Sequence, residues 1–189
     1  MIAGALSLCG FIPYLRAIWQ RKTRPNQATW LIWLIVGVMI ASSYRAAGAS
    51  STMWVPISYV IGPLITSIFA VRFGERRWTK LDWICLIGVG IGLILWGVYR
   101  SPSLTLGINI GIDLLGALPT IRKSFRDPYS EDLLSWLLFS LGSVVNLLAI
   151  DRWEWQIVLY PIYIVVATTT ICCLLWRGRK NQHRKIHLN

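Results

Sequence analysis

The residue with the clearest chemical potential is Asp113, a lone carboxylate inside an apolar run that continues as NIGIDLLGALPTIRKSFRDPYSEDLLSW from Asn109 to Trp136. A charged group at the centre of a bilayer costs at least a few kcal/mol. Asp113 therefore has to face a protein interior and be hydrogen-bonded or carry a proton. Asn109 lies one helical turn earlier on the same face, at i, i+4. Asn146 is the third polar residue deep in an apolar segment. Together these three are candidates for a polar lining that binds a solute or relays a proton; a hydrogen-bonded cluster that only packs helices is the competing reading.

Two further groups of residues suggest motion rather than bond chemistry. Gly10 and Pro13 recur as Gly116 and Pro119 at a constant offset of 106, which also superposes Arg16 on Arg122, Thr29 on Ser135 and Trp30 on Trp136. Proline inside a helix removes a hydrogen bond and clashes with the preceding turn. Each copy is thus a candidate hinge, the alternative being a proline that simply ends its helix. Arg16, Arg122, Asp127 and Glu131 crowd the polar segments after these prolines, with Lys123 among them. They are candidates for a gate, the acids pairing with first-copy residues such as Arg16 or Arg24; a solvated turn stopped by Pro128 is the plainer alternative. The positions matching Asp113, Asn109 and Asn146 in the first copy are Ser7, Ala3 and Ile40, so any polar site would be asymmetric.

Enzymatic chemistry finds no constellation. Cys9, Cys85, Cys172 and Cys173 fall within apolar runs without CxxC or His-paired spacing, and His183 and His187 lie in a basic tail. No metal, cofactor or catalytic residue is expected.

The elements that position these residues follow from composition. Of 189 residues, 55% are hydrophobic and only 14% charged, too little charge for a soluble domain of this length. Apolar runs at roughly 1–19, 28–46, 54–73, 82–99, 104–121, 133–150 and 155–176 each approach the length that crosses hydrocarbon as a helix. An all-α, polytopic membrane protein with seven transmembrane helices is the expectation. The first run lacks a basic leader and a small-residue cleavage site, so no signal peptide is expected.

The net charge of +11 is explained by topology. Sixteen of the 19 Lys and Arg follow runs one, three, five and seven, and only Arg45, Arg100 and Arg152 fall on the other side. The positive-inside rule puts the C-terminus in the cytoplasm and the N-terminus outside. Nucleic acid is not an expected partner. Trp54, Trp96, Trp153 and Trp155 mark one set of helix ends and Trp19, Trp78, Trp83 and Trp176 the other, as two interfacial belts.

The repeat and the odd helix count give a 3+1+3 plan of two parallel triple-helix bundles: 1–74, a linker helix in 75–103 containing Gly88, Gly90, Gly92 and Gly97, a second bundle at 104–176, and a basic cytoplasmic tail at 177–189. Three helices reverse the chain, and one extra crossing restores its direction. Runs three and seven offer hydroxyls at Ser58, Tyr59, Thr66, Ser67, Tyr160, Tyr163, Thr168, Thr169 and Thr170, with Pro56 and Pro161 near their outer ends.

A Pro-containing dipeptide, a basic segment, a small hydroxyl residue and a second helix, repeated in seven spans, resembles the PQ-loop superfamily of SWEET and SemiSWEET sugar transporters and lysosomal amino-acid exporters. The family dipeptide is Pro-Gln; here it reads Pro13-Tyr14 and Pro119-Thr120. The second-copy pattern of Asp113, Pro119-Thr120, Pro128, Glu131 and Trp136 looks most like bacterial members. The 3+1+3 plan is also similar to vitamin transporters of the nicotinamide riboside type. The resemblance implies a transporter or facilitator of a small polar solute, with protons as a candidate coupling ion, the proline hinges driving alternating access, and the bilayer as its setting. A non-transporting membrane scaffold or accessory subunit is the alternative, and a homo-oligomer is compatible with either.

Overall fold

The computed structural model describes residues 2–46, 54–99, 102–150 and 153–186. Within them the chain is all-helical, with seven helices and no strand. These are α1 (Ile2–Trp19), α2 (Gln27–Ala46), α3 (Trp54–Phe73), α4 (Lys80–Val98), α5 (Pro102–Arg126), α6 (Leu133–Leu148) and α7 (Trp155–Ile186). Arg100 and Arg152 lie outside the described residues, as do the side chains of Ala3, Ser7, Ile40, Arg45, Pro56, Ser58, Tyr59, His183 and His187.

The apolar runs set five of the helices to within about two residues, the usual uncertainty of a helix end. Two helices outrun their apolar segments. α5 continues to Arg126, so Arg122–Arg126, expected as a basic turn, is helical; α7 continues to Ile186 and makes much of the basic tail helical. Arg and Lys are good helix formers, and cations at a helix C-terminus complement its dipole. α1 closes differently. Arg21 adopts a left-handed φ of 57°, and the N–H groups of Arg21 and Lys22 donate to Ile18 and Ala17 at 2.9 Å. This is a Schellman closure, normally supplied by glycine; a side chain there costs roughly 1–2 kcal/mol.

α4 and the Val158–Lys180 part of α7 are long and apolar enough to cross a membrane, and shorter apolar segments occur in α1, α2, α3 and α6. The sequence led to an expectation of seven such helices. α5, which carries Asn109, Asp113 and the basic end, is in neither group.

Contacts divide the chain into two compact units, Met1–Pro25 with Thr120–Asn189, and Asn26–Pro119. The first unit holds α1, α6 and α7, and the second holds α2, α3 and α4. In the first unit α6 packs against both α1 and α7. Phe11 and Tyr14 of α1 meet Phe139 and Trp136 edge-on, with centroids 5.0–6.5 Å apart. Gly10 permits that approach, since a Cβ there would stand 2.6 Å from the Phe139 ring. Between α6 and α7, Ser140 pairs with Thr169 at 3.1 Å and Ser143 with Thr168 at 3.2 Å.

In the second unit α2 packs against α3 and α4, and the core gathers Ile32, Val36, Met39, Cys85, Val89 and Ile112. Gly88 and Gly92 let α4 approach Leu115 and Ile112 of α5 closely, as a tightly packed helix requires. The opposite side of α4 is an apolar stripe. Ile84, Ile87, Ile91, Ile94 and Val98 recur at helical spacing and are each more than half exposed.

Candidate functional site

Among the described residues of the first unit, one carboxylate is buried, at the meeting point of three elements. Glu131 stands just before α6 and is almost fully buried. Its Oε2 accepts from the Tyr14 hydroxyl at 2.7 Å and from Trp136 Nε1 at 3.0 Å. Its Oε1 lies 2.5 Å from Lys123 Nζ, an ion pair with both partners buried. α1 supplies Tyr14, the extended end of α5 supplies Lys123, and the first turn of α6 supplies Trp136.

Lys123 also donates to the Arg24 carbonyl, and the Arg24 N–H donates to the Ser130 carbonyl at 2.9 Å. The α1–α2 and α5–α6 segments are thereby stitched together through backbone groups. From α7, Arg179 donates Nη2 to the Glu131 carbonyl at 2.7 Å and Nε to the Pro128 carbonyl at 3.3 Å, with its guanidinium over the Tyr129 ring. A groove of about 590 Å³ opens beside this network, lined by Pro13, Arg16, Lys22, Glu131, Asp132 and Arg179 among others. Asp132, at the N-cap of α6, has its pKa raised. Burial is the main cause and the neighbouring Glu131 adds to it, outweighing the Ser135 hydroxyl and N–H and the Arg179 charge.

The expected gate residues therefore divide. Glu131 is its centre, but its cation is Lys123 and its partner on α1 is Tyr14, not Arg16 or Arg24. Arg16 is exposed on the groove wall, and Arg122 is half-buried on α5. Asp127 is exposed and shapes the turn: its Oδ1 accepts from the Tyr129 N–H at 3.4 Å and its carbonyl from the Ser130 hydroxyl at 2.6 Å. Tyr14 carries no signal of this bond in the sequence, where it reads as one more aromatic of an apolar run.

Both prolines lie inside continuous helices, six residues before the end of α1 and seven before the end of α5. Neither ends its helix. Gly116 is a close-packing position like Gly10, for a Cβ there would meet Ile32 and Trp33 at 2.8–3.0 Å.

The three candidates for a polar lining do not fall in one unit. Asp113 is buried on α5, and its carbonyl accepts from Trp33 Nε1 at 3.4 Å. Asn109 Oδ1 is buried without a hydrogen-bond partner among the described residues. Both belong to the second unit. Asn146 is exposed near the end of α6, in the first. Thr168 and Thr169 are engaged with α6 serines, and Thr66 bonds back to the Gly62 carbonyl at 2.9 Å. Packing accounts for these hydroxyls.

The second unit has a polar knot that the sequence did not suggest. Asn26 Nδ2 donates to Asp82 Oδ1 at 2.9 Å and Glu75 Oε2 at 3.0 Å, while its Oδ1 accepts from the Thr29 N–H at 2.9 Å and caps α2. Asp82 forms a capping box with Thr79 at the start of α4. Asn26 is the 106-residue counterpart of Asp132; both stand at helix N-caps, but only the Asn26 side chain makes the capping hydrogen bond. The legible signal was Asn26 just ahead of an apolar run, with Thr29 following. Among the described residues, no group of three or more His, Cys, Asp or Glu side chains is placed to hold a metal ion. Comparison with protein-family models, with characterised proteins and with solved structures finds no match to this chain.

Proposed function

We propose that this chain is a seven-span membrane protein of the 3+1+3, PQ-loop-like kind that carries a small polar solute by alternating access. The N-terminus lies outside and the C-terminus in the cytoplasm. The observation that carries the mechanism is the hydrogen bond from Tyr14 to buried Glu131. Tyr14 follows Pro13 directly, so the weakened point of α1 is also the point held by a charged network. A bend at Pro13 moves Tyr14 off Glu131; re-forming the bond closes the cytoplasmic end. Lys123, four residues beyond Pro119, couples the second hinge to the same carboxylate. Asn109 and Asp113 form the solute- or proton-binding pair, the orphaned Asn109 oxygen being an acceptor in need of a donor.

The membrane setting is supported by the two long apolar helices, the exposed isoleucine stripe on α4 and the one-sided distribution of cations. A non-transporting scaffold with the same bundle is the second reading. It is favoured by the Ser–Thr pairs between α6 and α7, which use hydroxyls for packing. Uptake of amino acids, sugars and vitamins into proteoliposomes separates the two. Saturable uptake that falls in Glu131→Gln supports transport; a full panel without uptake, together with no thiol-reagent access at Asn109→Cys, supports the scaffold.

A further inference from the structure

The groove beside Glu131 has an electrostatic imbalance that a gate alone does not require. Three cations line it: Arg16, Lys22 and Arg179. Of the two lining carboxylates, Glu131 is already neutralised by Lys123, leaving Asp132 alone opposite three positive charges. Burial also disfavours the charged form of Asp132. Arg179 is fixed by its bonds to the Pro128 and Glu131 carbonyls. The side chains of Arg16 and Lys22 make no hydrogen bond or ion pair among the described residues, and both are exposed. Lys22, next to the left-handed Arg21, lines the groove wall.

We propose that this groove binds a phosphate-bearing anion, with Arg16 and Lys22 as its two free cations and Arg179 as the preorganised third. An arginine fork and a lysine point charge suit a phosphate's three oxygens, and about 590 Å³ is a volume typical of small-ligand sites. Trp19 and Trp176 are exposed, one and three residues ahead of the groove-lining Gln20 and Arg179, and Lys180 lies over the Trp176 ring at 5.7 Å. Tryptophans mark the interfacial layer of a bilayer, so the groove lies at the depth of lipid headgroups. The phosphate belongs either to an inner-leaflet phospholipid or to a free solute. The proposal rests on the membrane reading but not on transport.

The test uses the full chain in two arms. In nanodiscs of phosphatidylcholine containing phosphatidylglycerol, native mass spectrometry counts the anionic lipid retained on the protein. In nonionic detergent, a titration with inorganic phosphate is followed by phosphorus NMR. The wild type is compared with Arg16→Gln/Lys22→Gln and with a control, Arg76→Gln/Arg77→Gln, which removes two exposed cations of the other unit. All three should share one thermal midpoint. We expect binding in at least one arm, weakened about tenfold or more by the groove variant, equal to about 1.4 kcal/mol, and unchanged in the control. Lipid retention identifies a headgroup; phosphate binding alone identifies a free solute. No binding in either arm, or equal loss in groove and control variants, overturns the proposal. Failure to enter nanodiscs would instead count against the membrane reading, with the detergent arm still deciding the site.

Discussion

Tyr14 donates its phenolic hydroxyl to Glu131 across 2.7 Å, joining residues 117 positions apart in the chain. Glu131 is simultaneously paired with Lys123, so one buried carboxylate gathers α1, α5 and the start of α6. Such an arrangement is asymmetric in its energetics. Removing one member of a buried ion pair leaves the other charge uncompensated at a cost of about 3–5 kcal/mol, whereas replacing both with apolar residues is often close to neutral. Glu131→Gln and Lys123→Met should each destabilise by about that amount. Lys123→Met/Glu131→Gln should lose clearly less than the sum of the two single variants, and Tyr14→Phe should cost about 1–3 kcal/mol. Unfolding of micellar protein by SDS titration reads all four. Additive losses in the double variant would show that the pair is not coupled.

The prolines have a distinct signature. Because Pro13 and Pro119 lie within continuous helices, alanine restores a backbone hydrogen bond at each site and should stabilise its helix, by up to about 3 kcal/mol where no compensating kink is lost. In the same variants solute uptake should slow. Faster or unchanged uptake in both Pro13→Ala and Pro119→Ala would remove the hinge role.

Asp132 makes stability depend on pH. Its folded pKa lies above the ordinary carboxyl value, so the folded state holds the proton more tightly. Its contribution is therefore lost as pH rises through the unfolded and then the folded value. Asp132→Asn should raise the thermal midpoint at about pH 8, with the difference shrinking toward about pH 4 as the wild-type residue protonates. Asparagine is also a good cap and occupies the matched position 26. A midpoint difference that grows on acidification would contradict the sign.

Asp113 is expected to set the pH profile of uptake. Asp113→Asn preserves size and hydrogen-bonding capacity and should flatten that profile while the protein still inserts and folds. Asp113→Leu should also destabilise the fold, by about 1–3 kcal/mol, through lost polar partners. An unaltered pH profile in Asp113→Asn would leave Asp113 as a structural residue.

Helix positions were legible because long apolar runs bounded by Asn26-Gln27, Thr79-Lys80 and Glu131-Asp132 announce themselves. The helical extensions at Arg122–Arg126 and beyond Trp176 were not, because charged residues end an apolar pattern without ending a helix. Within the site, Glu131 stood out as an acid just ahead of an apolar run. Its partners did not, since Tyr14 resembles any aromatic at a helix end and only tertiary packing aims its hydroxyl. The Asn26–Asp82–Glu75 knot was hidden for the same reason: its members are separated by 56 and 49 residues. The grouping of α1 with α6 was also hidden, because sequence order favours its neighbours α2 and α3. Part of that packing is a ring fit, Gly10 against Phe139.

The proposed closure by Tyr14 and Glu131 is most directly tested by the distance across the groove between Gln20 and Leu134, both exposed. Nitroxide labels there, with Cys9, Cys85, Cys172 and Cys173 replaced, allow pulsed electron resonance in nanodiscs. A hinge held by Tyr14 and Glu131 should give two populations in the wild type, with the shorter dominant. Tyr14→Phe and Glu131→Gln should each shift weight to the longer distance, and Pro13→Ala should suppress it. A single distribution, identical in the wild type and in all three variants, would contradict a gated transporter.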